Sequence, residues 1–198
     1  IRGKEMIKFI TTLLALFMFS TSYAKEVKVG IILGFTGPIE SLTPGMAAGA
    51  ELAFQEASDS GALLNGSTIS SIRADSTCID SAAAASAAEF LISQGVTAIM
   101  GADCSGVTGA VLSNVAVPNG VPMISPSATS PALTTAEDNG LFFRTAPSDA
   151  RGGEVLADIT NDRGISSVAI TYVNTDYGVG LADVYEAAAN ARGIEVTA

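Results

Sequence analysis

The chain has 198 residues, is 48% hydrophobic with no Trp, and carries a formal net charge of −10. Its length suits one domain and part of another. An acidic body without a basic patch argues against nucleic acid as a partner and makes anionic membrane surfaces poor ones. With no His at all, the chain cannot build a Ser-His-Asp or Cys-His catalytic set from its own residues.

The first stretch reads as a targeting signal. Met6 and Lys8 open a short basic region, residues 9–19 form an apolar run broken by Thr11 and Thr12, and Ser22-Tyr23-Ala24 makes a small-x-small cleavage site before Lys25. The run is too short to span about 30 Å of hydrocarbon. Residues 1–24 are therefore expected to be a cleaved signal peptide, with residues 1–5 upstream of Met6, and the mature protein is expected in the periplasm. No Cys stands at the cleavage site, which speaks against a lipid anchor.

Export changes how the two cysteines read, because that compartment permits disulfides. Two thiols and no His do not make the usual structural zinc site. The alternatives are two free buried thiols or a Cys78–Cys104 bridge. The coarse topology favours the bridge, since both residues follow predicted strands at the same sheet edge. A bridge closing about 27 residues is worth roughly 3.5 kcal/mol in the chain-entropy account.

Residues 27–33 (VKVGIIL) form a near-continuous apolar run, the pattern of a buried parallel strand. Gly34-Phe35-Thr36-Gly37-Pro38 breaks it. A helix is expected over residues 45–58, with apolar residues 46, 50, 53, 54 and 57 on one face. A second strand follows at 68–74. Asp80 is a good N-cap for an Ala-rich helix over 81–94, which Gly95 ends. Then come a strand at 97–101, a helix from about 106 to 116, a strand at 121–125, one possible helical turn at 131–135 and a fifth strand at 141–145. This alternation predicts a parallel sheet with helices on both faces, residues 25–145 forming one α/β lobe. Residues 146–198 begin a second one: a helix over 149–163, a strand at 167–173, a helix over 178–191 and the start of another strand. That second lobe is expected to be incomplete.

The chemistry on offer is neutral hydrogen bonding at strand ends. After residue 24 only Lys25 and Lys28 remain as lysines, so a Ser-x-x-Lys nucleophile and a Walker phosphate loop are both missing. No set of carboxylates stands out for a metal, no cofactor is expected, and the protein is not expected to be an enzyme. Ser105, near the start of the third helix, either holds a ligand carboxylate or serves as that helix's N-cap. Ser127 and Thr129 either bind a ligand or close turns between Pro126 and Pro131. Asp103 reads as an exposed loop carboxylate, or as a partner for an ammonium group. Tyr177, between a second-lobe strand and its helix, either covers a ligand or packs on its own loop. Arg144 and Arg151 flank the crossing between lobes, and Arg151 reads more readily as paired with Asp149 or Glu154 than with a ligand.

Several stretches together resemble one family. They are VKVGIILGFTGP, the Gly49-Ala50-Glu51-Leu52-Ala53-Phe54 helix segment, the Cys78 and Cys104 pair, GADCSGVTGA, MISPSATSPALT, FFRT with Asp149, and Asn174-Thr175-Asp176-Tyr177-Gly178-Val179-Gly180. In order across residues 27–198, they resemble the type I periplasmic solute-binding proteins of ABC transporters for branched-chain and related amino acids, the leucine-binding-protein-like class.

The resemblance implies two doubly wound parallel-sheet lobes joined by a hinge that closes on a ligand, the second lobe here being truncated. It implies a Cys78–Cys104 bridge. It also implies that Ser105 and Thr129 hold a ligand α-carboxylate, that the backbone carbonyl of Ser127 accepts from the α-ammonium, and that Tyr177 covers the ligand. Ala128, between Ser127 and Thr129, joins the ligand-binding set. Leu42 aligns where leucine-binding members often carry an aromatic residue, which leaves the ligand's side chain open. The expected partners are a small-molecule ligand and a membrane permease. A receptor or regulator domain of the same fold is an alternative, and an exported α/β enzyme a more distant one.

Overall fold

The computed structural model describes residues 25–198. The signal-peptide reading concerns residues 1–24 and lies outside the described residues.

The first strand, β1 (Glu26–Leu33), is the centre of the first lobe, and its last five residues are buried. It is apolar nearly throughout because helices cover the sheet on both faces. Consecutive side chains point to opposite faces, so Ile31 and Leu33 join one core cluster and Ile32 the other. β1 is flanked by β2 (Thr68–Asp75) on one side and β3 (Ala98–Gly101) on the other, both in parallel. β4 (Met123–Ser125) and β5 (Phe142–Arg144) extend the sheet, giving the order β2-β1-β3-β4-β5. The order reverses between β1 and β3. In open α/β sheets the crevice beyond the strand C-termini at such a switch point is the usual ligand site.

On one face α1 (Thr43–Asp59) packs Ala47 on Ile31 and Leu33. On the other, α2 (Ser81–Ser93) and α3 (Ser105–Val111) bury Ala84, Ala88, Leu91, Val107 and Val111 against Ile32, Ile99 and Met123. The small Ala side chains let α2 lie close to the sheet. Asp80 caps α2 as expected, accepting from the amides of Ala82 and Ala83, both at 2.9 Å.

The other elements of the first lobe lie within a few residues of expectation, with three corrections. α1 begins at Thr43, because Pro44 suits the first turn and the buried Thr43 hydroxyl donates to the Gly34 carbonyl at 3.1 Å. Its core face runs through 43, 47, 50 and 54, so Ala53 points to solvent. The third helix is longer than expected: it continues through a π-helical stretch (Leu112–Ala116) into a last turn (Val117–Asn119), and Gly120 ends it at φ 65°. Pro118, which has no N–H to give, stands in that last turn.

The second unit contains α4 (Asp149–Asp162), β6 (Ser167–Val168), α5 (Asp176–Ala191) and β7 (Glu195–Val196). β6 and β7 pair in parallel. The strand expected over 167–173 forms a regular ladder only at Ser167–Val168; beyond it Ile170 N still donates to the Ala198 carbonyl at 2.7 Å. α4 and α5 pack on each other, and the Thr160 and Tyr185 hydroxyls are linked at 3.1 Å. Among the described residues no helix is long and apolar enough to cross a membrane.

Candidate functional site

The residues of interest lie where β3 and β4 end, beside the switch point. β3 leads into Ala102-Asp103-Cys104 and then α3; β4 ends at Ser125 and leads into residues 126–130. Side-chain hydroxyls stitch these two loops together. Ser125 Oγ donates to the Ala102 carbonyl and accepts from Ala128 N at 3.0 Å. Ser127 Oγ donates to the Asp103 carbonyl at 3.0 Å. Ser105 Oγ accepts from Ser130 N at 3.1 Å. Arg144, on β5, closes the outer side: its guanidinium donates to the carbonyls of Ala128 at 3.3 Å and Ser130 at 2.9 Å, and to Thr134 Oγ1 at 2.6 Å. Buried carbonyls at the end of a loop must find donors, and one planar guanidinium satisfies two of them.

Ser105 is buried and is the first residue of α3; the N-cap position belongs to Cys104, whose side chain makes no capping bond. Ser105 Oγ accepts from Ser130 N and keeps its own proton for another partner. The Thr129 hydroxyl and the Ser127 carbonyl take no hydrogen bond from any described residue, whereas the Thr129 carbonyl accepts from Asp149 N at 3.0 Å. Ala128 is fully buried between them.

The second lobe comes up against this edge. A Cβ on Gly106 would lie 3.6 Å from Asp176 Oδ2, and one on Gly180 would lie 3.1 Å from Pro131 Cδ and 3.2 Å from Ser130 Oγ. Bare glycine backbone on both sides lets the first turns of α5 approach the β4 loop. Thr175 caps α5 through Gly178 N at 3.2 Å, and Tyr177 follows in the first turn, 45% exposed. Asp149 begins α4 at the crossing between lobes, and its Oδ2 is buried with no hydrogen-bond partner. Arg151 pairs with Glu154 at 2.7 Å, the local partner anticipated.

The structure therefore brings Ser105, Ser127, Ala128 and Thr129 into one cradle, with the α5 turn that bears Tyr177 beside it. Leu42 is not tied to them. It precedes α1 on the same sheet edge, 58% exposed, its amide bonded to the Ile39 carbonyl at 2.9 Å. The loop before it is fixed by Asp75, which accepts from Thr36 N at 3.2 Å, Thr36 Oγ1 at 2.6 Å and Thr77 N at 2.9 Å. Burial acts to raise the Asp75 pKa, but these hydrogen bonds outweigh it and hold the carboxyl below the usual range.

Cys78 and Cys104 are bridged, with their Cα atoms 5.2 Å apart. The reading of Asp103 as an exposed or ammonium-binding carboxylate is corrected. Asp103 is 2% exposed, and its oxygens are spent inside the protein: Oδ2 accepts from Gly34 N at 2.7 Å, and Oδ1 from Cys104 N at 2.9 Å and Ser76 Oγ at 3.2 Å. Sequence reading also missed Ser125, Ser130 and Arg144 as builders of the cradle. Only the Ser- and Pro-rich composition of the β4 loop hinted at them. Among the described residues no group of His, Cys, Asp or Glu is placed to hold a metal ion.

The sequence profile of the family described as periplasmic binding protein matches residues 26–198. This chain belongs to that family. A Leu/Ile/Val-binding protein homolog of Brucella melitensis is 32% identical over 178 residues, covering 88% of this chain and 46% of that protein. An ABC transporter substrate-binding protein from Desulfitobacterium hafniense, solved in complex with Leu, superposes with a TM-score of 0.71 at 30% identity, covering 87% of this chain and 50% of that one. A solute-binding protein of an ABC transporter from R. palustris, solved in complex with benzoate, superposes at 0.76 with 25% identity, covering 87% of this chain and 47% of that one. The periplasmic binding protein chain described here thus spans about half the length of these relatives. Its α/β lobes have the type I architecture.

Proposed function

We propose that the protein is an extracytoplasmic, periplasmic substrate-binding protein that captures a small carboxylate, in the first place a branched-chain or related amino acid. It closes a two-lobed cleft on the ligand and delivers it to the permease of an ABC transporter. The observation that carries this reading is the cradle: the Ser105 proton, the Thr129 hydroxyl and the Ser127 carbonyl have no partner among the described residues, yet share one cross-braced, half-buried loop pair at the switch point. Two hydroxyl donors suit a carboxylate, and a carbonyl beside them suits an ammonium. Ala128 walls the cradle between them. Tyr177 on α5 is the aromatic cover, and Leu42 borders the side-chain pocket from the β1 loop. A ligand touching both lobes binds the closed form better, and that difference drives closure. No catalytic step is assigned.

The test is titration of the full-length protein with L-leucine, L-isoleucine, L-valine and benzoate. A hydrogen bond to a charged group contributes about 1.5–3 kcal/mol. Ser105→Ala and Thr129→Ala should therefore each weaken a ligand that binds by roughly 10- to 100-fold. Unchanged affinity in the double variant sinks the cradle assignment.

A second reading has a specific basis, since one relative holds benzoate and another leucine. An aromatic acid would use the two hydroxyls but leave the Ser127 carbonyl without a donor. Binding of benzoate with indifference to the amino acids would favour that reading.

A further inference from the structure

Asp103 is a buried carboxylate that the ligand reading does not use. It lies at the one place where the ends of β1, β2 and β3 meet. Oδ2 takes the Gly34 amide from the end of β1; Oδ1 takes the Ser76 hydroxyl beyond β2 and the Cys104 amide beyond β3. Its backbone carbonyl takes the Ser127 hydroxyl from the loop after β4. One residue thus ties together the ends of four strands, two positions before Ser105. Gly34 leaves room for this: a Cβ there would lie 3.3 Å from Asp103 Oδ2 and 3.1 Å from Cys78 Cβ.

The geometry of the site calls for an acceptor oxygen on each side. Two of its donors are backbone amides, one on each oxygen, and an amide cannot turn round to accept. An Asn has one oxygen and one NH2. Whichever way it is placed, its NH2 faces the Gly34 amide or the Cys104 amide, donor against donor. Only the Ser76 hydroxyl can rotate to accommodate it. A buried donor left unpaired is costly enough to displace the loop that carries it.

We propose that Asp103 is the positioning residue of the carboxylate cradle. It fixes the register of the β3 loop against the β1, β2 and β4 loops, so that Ser105 and Ser127 stand where a ligand can use them. The proposal rests on the functional reading above for its consequence, but not for its test.

The experiment is residue-resolved amide hydrogen exchange by NMR on the full-length protein, with Asp103→Asn and the milder Ser76→Ala, which keeps the carboxylate and removes one donor. Asp103→Asn should speed exchange at Gly34, Cys104, Ala128 and Ser130 by at least tenfold, with α4 and α5 amides unchanged. Ser76→Ala should do the same to a smaller degree, and it decides the matter if the Asn variant does not fold. Cradle amides that are unchanged, or that speed up no more than those of α4 and α5, overturn the proposal. L-leucine titration at a temperature where both proteins are folded is the second readout. If the parent binds, Asp103→Asn should weaken it at least tenfold, and equal affinity also overturns the proposal. If the parent binds no L-leucine, it is the ligand assignment that fails, and the exchange data still decide Asp103.

Discussion

Asp75 shows how a single residue fixes a loop at the sheet edge. Its carboxyl is held below the usual range despite burial, by donors from Thr36 and Thr77. A carboxylate with a depressed folded pKa adds stability above its unfolded value, about 3.9, and loses it as the pH falls through the folded value. The stability of the parent should therefore drop on acidification below about pH 4. Asp75→Asn should be less stable at neutral pH and show a shallower acid dependence, read by chemical denaturation across that range. Parallel curves would remove Asp75 from the account. At this scale the sequence was only partly legible. Ser105, Ser127 and Thr129 were visible as hydroxyls at strand ends, yet whether they cap, turn or bind depends on who else reaches them. Asp103 was misread as exposed, because two of its three donors come from positions 34 and 76, and no local pattern announces such a meeting.

Helices and strands were easier to read. β1 and β3 could be identified as apolar runs because parallel strands are buried on both faces, and α2 by its Asp80 cap and Ala-rich face. The π-helical stretch and the short β6 ladder escaped, since the first depends on how residues 112–119 end against Gly120 and the second on what pairs with the strand. Between α4 and α5 a single glycine governs the packing. A Cβ on Gly153 would lie 2.6 Å from Val184 Cγ1 and 2.9 Å from the backbone nitrogen of Tyr185. Gly153→Ala should thus cost about 1–3 kcal/mol of stability by overpacking, despite the better helix propensity of Ala. Urea denaturation checks this, and a stabilised variant would mean that the two helices can part without cost.

Across the whole molecule, the Cys78–Cys104 bridge links the loops after β2 and β3 over a sequence separation of 26. Its removal, by reduction or by Cys78→Ser with Cys104→Ser, should cost about 3.5 kcal/mol in the chain-entropy account. The denaturation midpoint reports it, and an unchanged midpoint would mean that the hydrogen bonds of Asp103 hold these loops unaided. The order of the elements and the parallel sheet were determined by the sequence alone, because they follow from local periodicity. The cradle was decided only by the tertiary structure. Its parts come from β1, β2, β3, β4 and β5, and strand order alone brings Gly34, Ser76, Asp103, Ser127 and Arg144 to one edge. Hydrogen bonds between residues far apart in the chain leave no periodic trace in it, so the acid that looked like an exposed loop residue became the buried tie of the site.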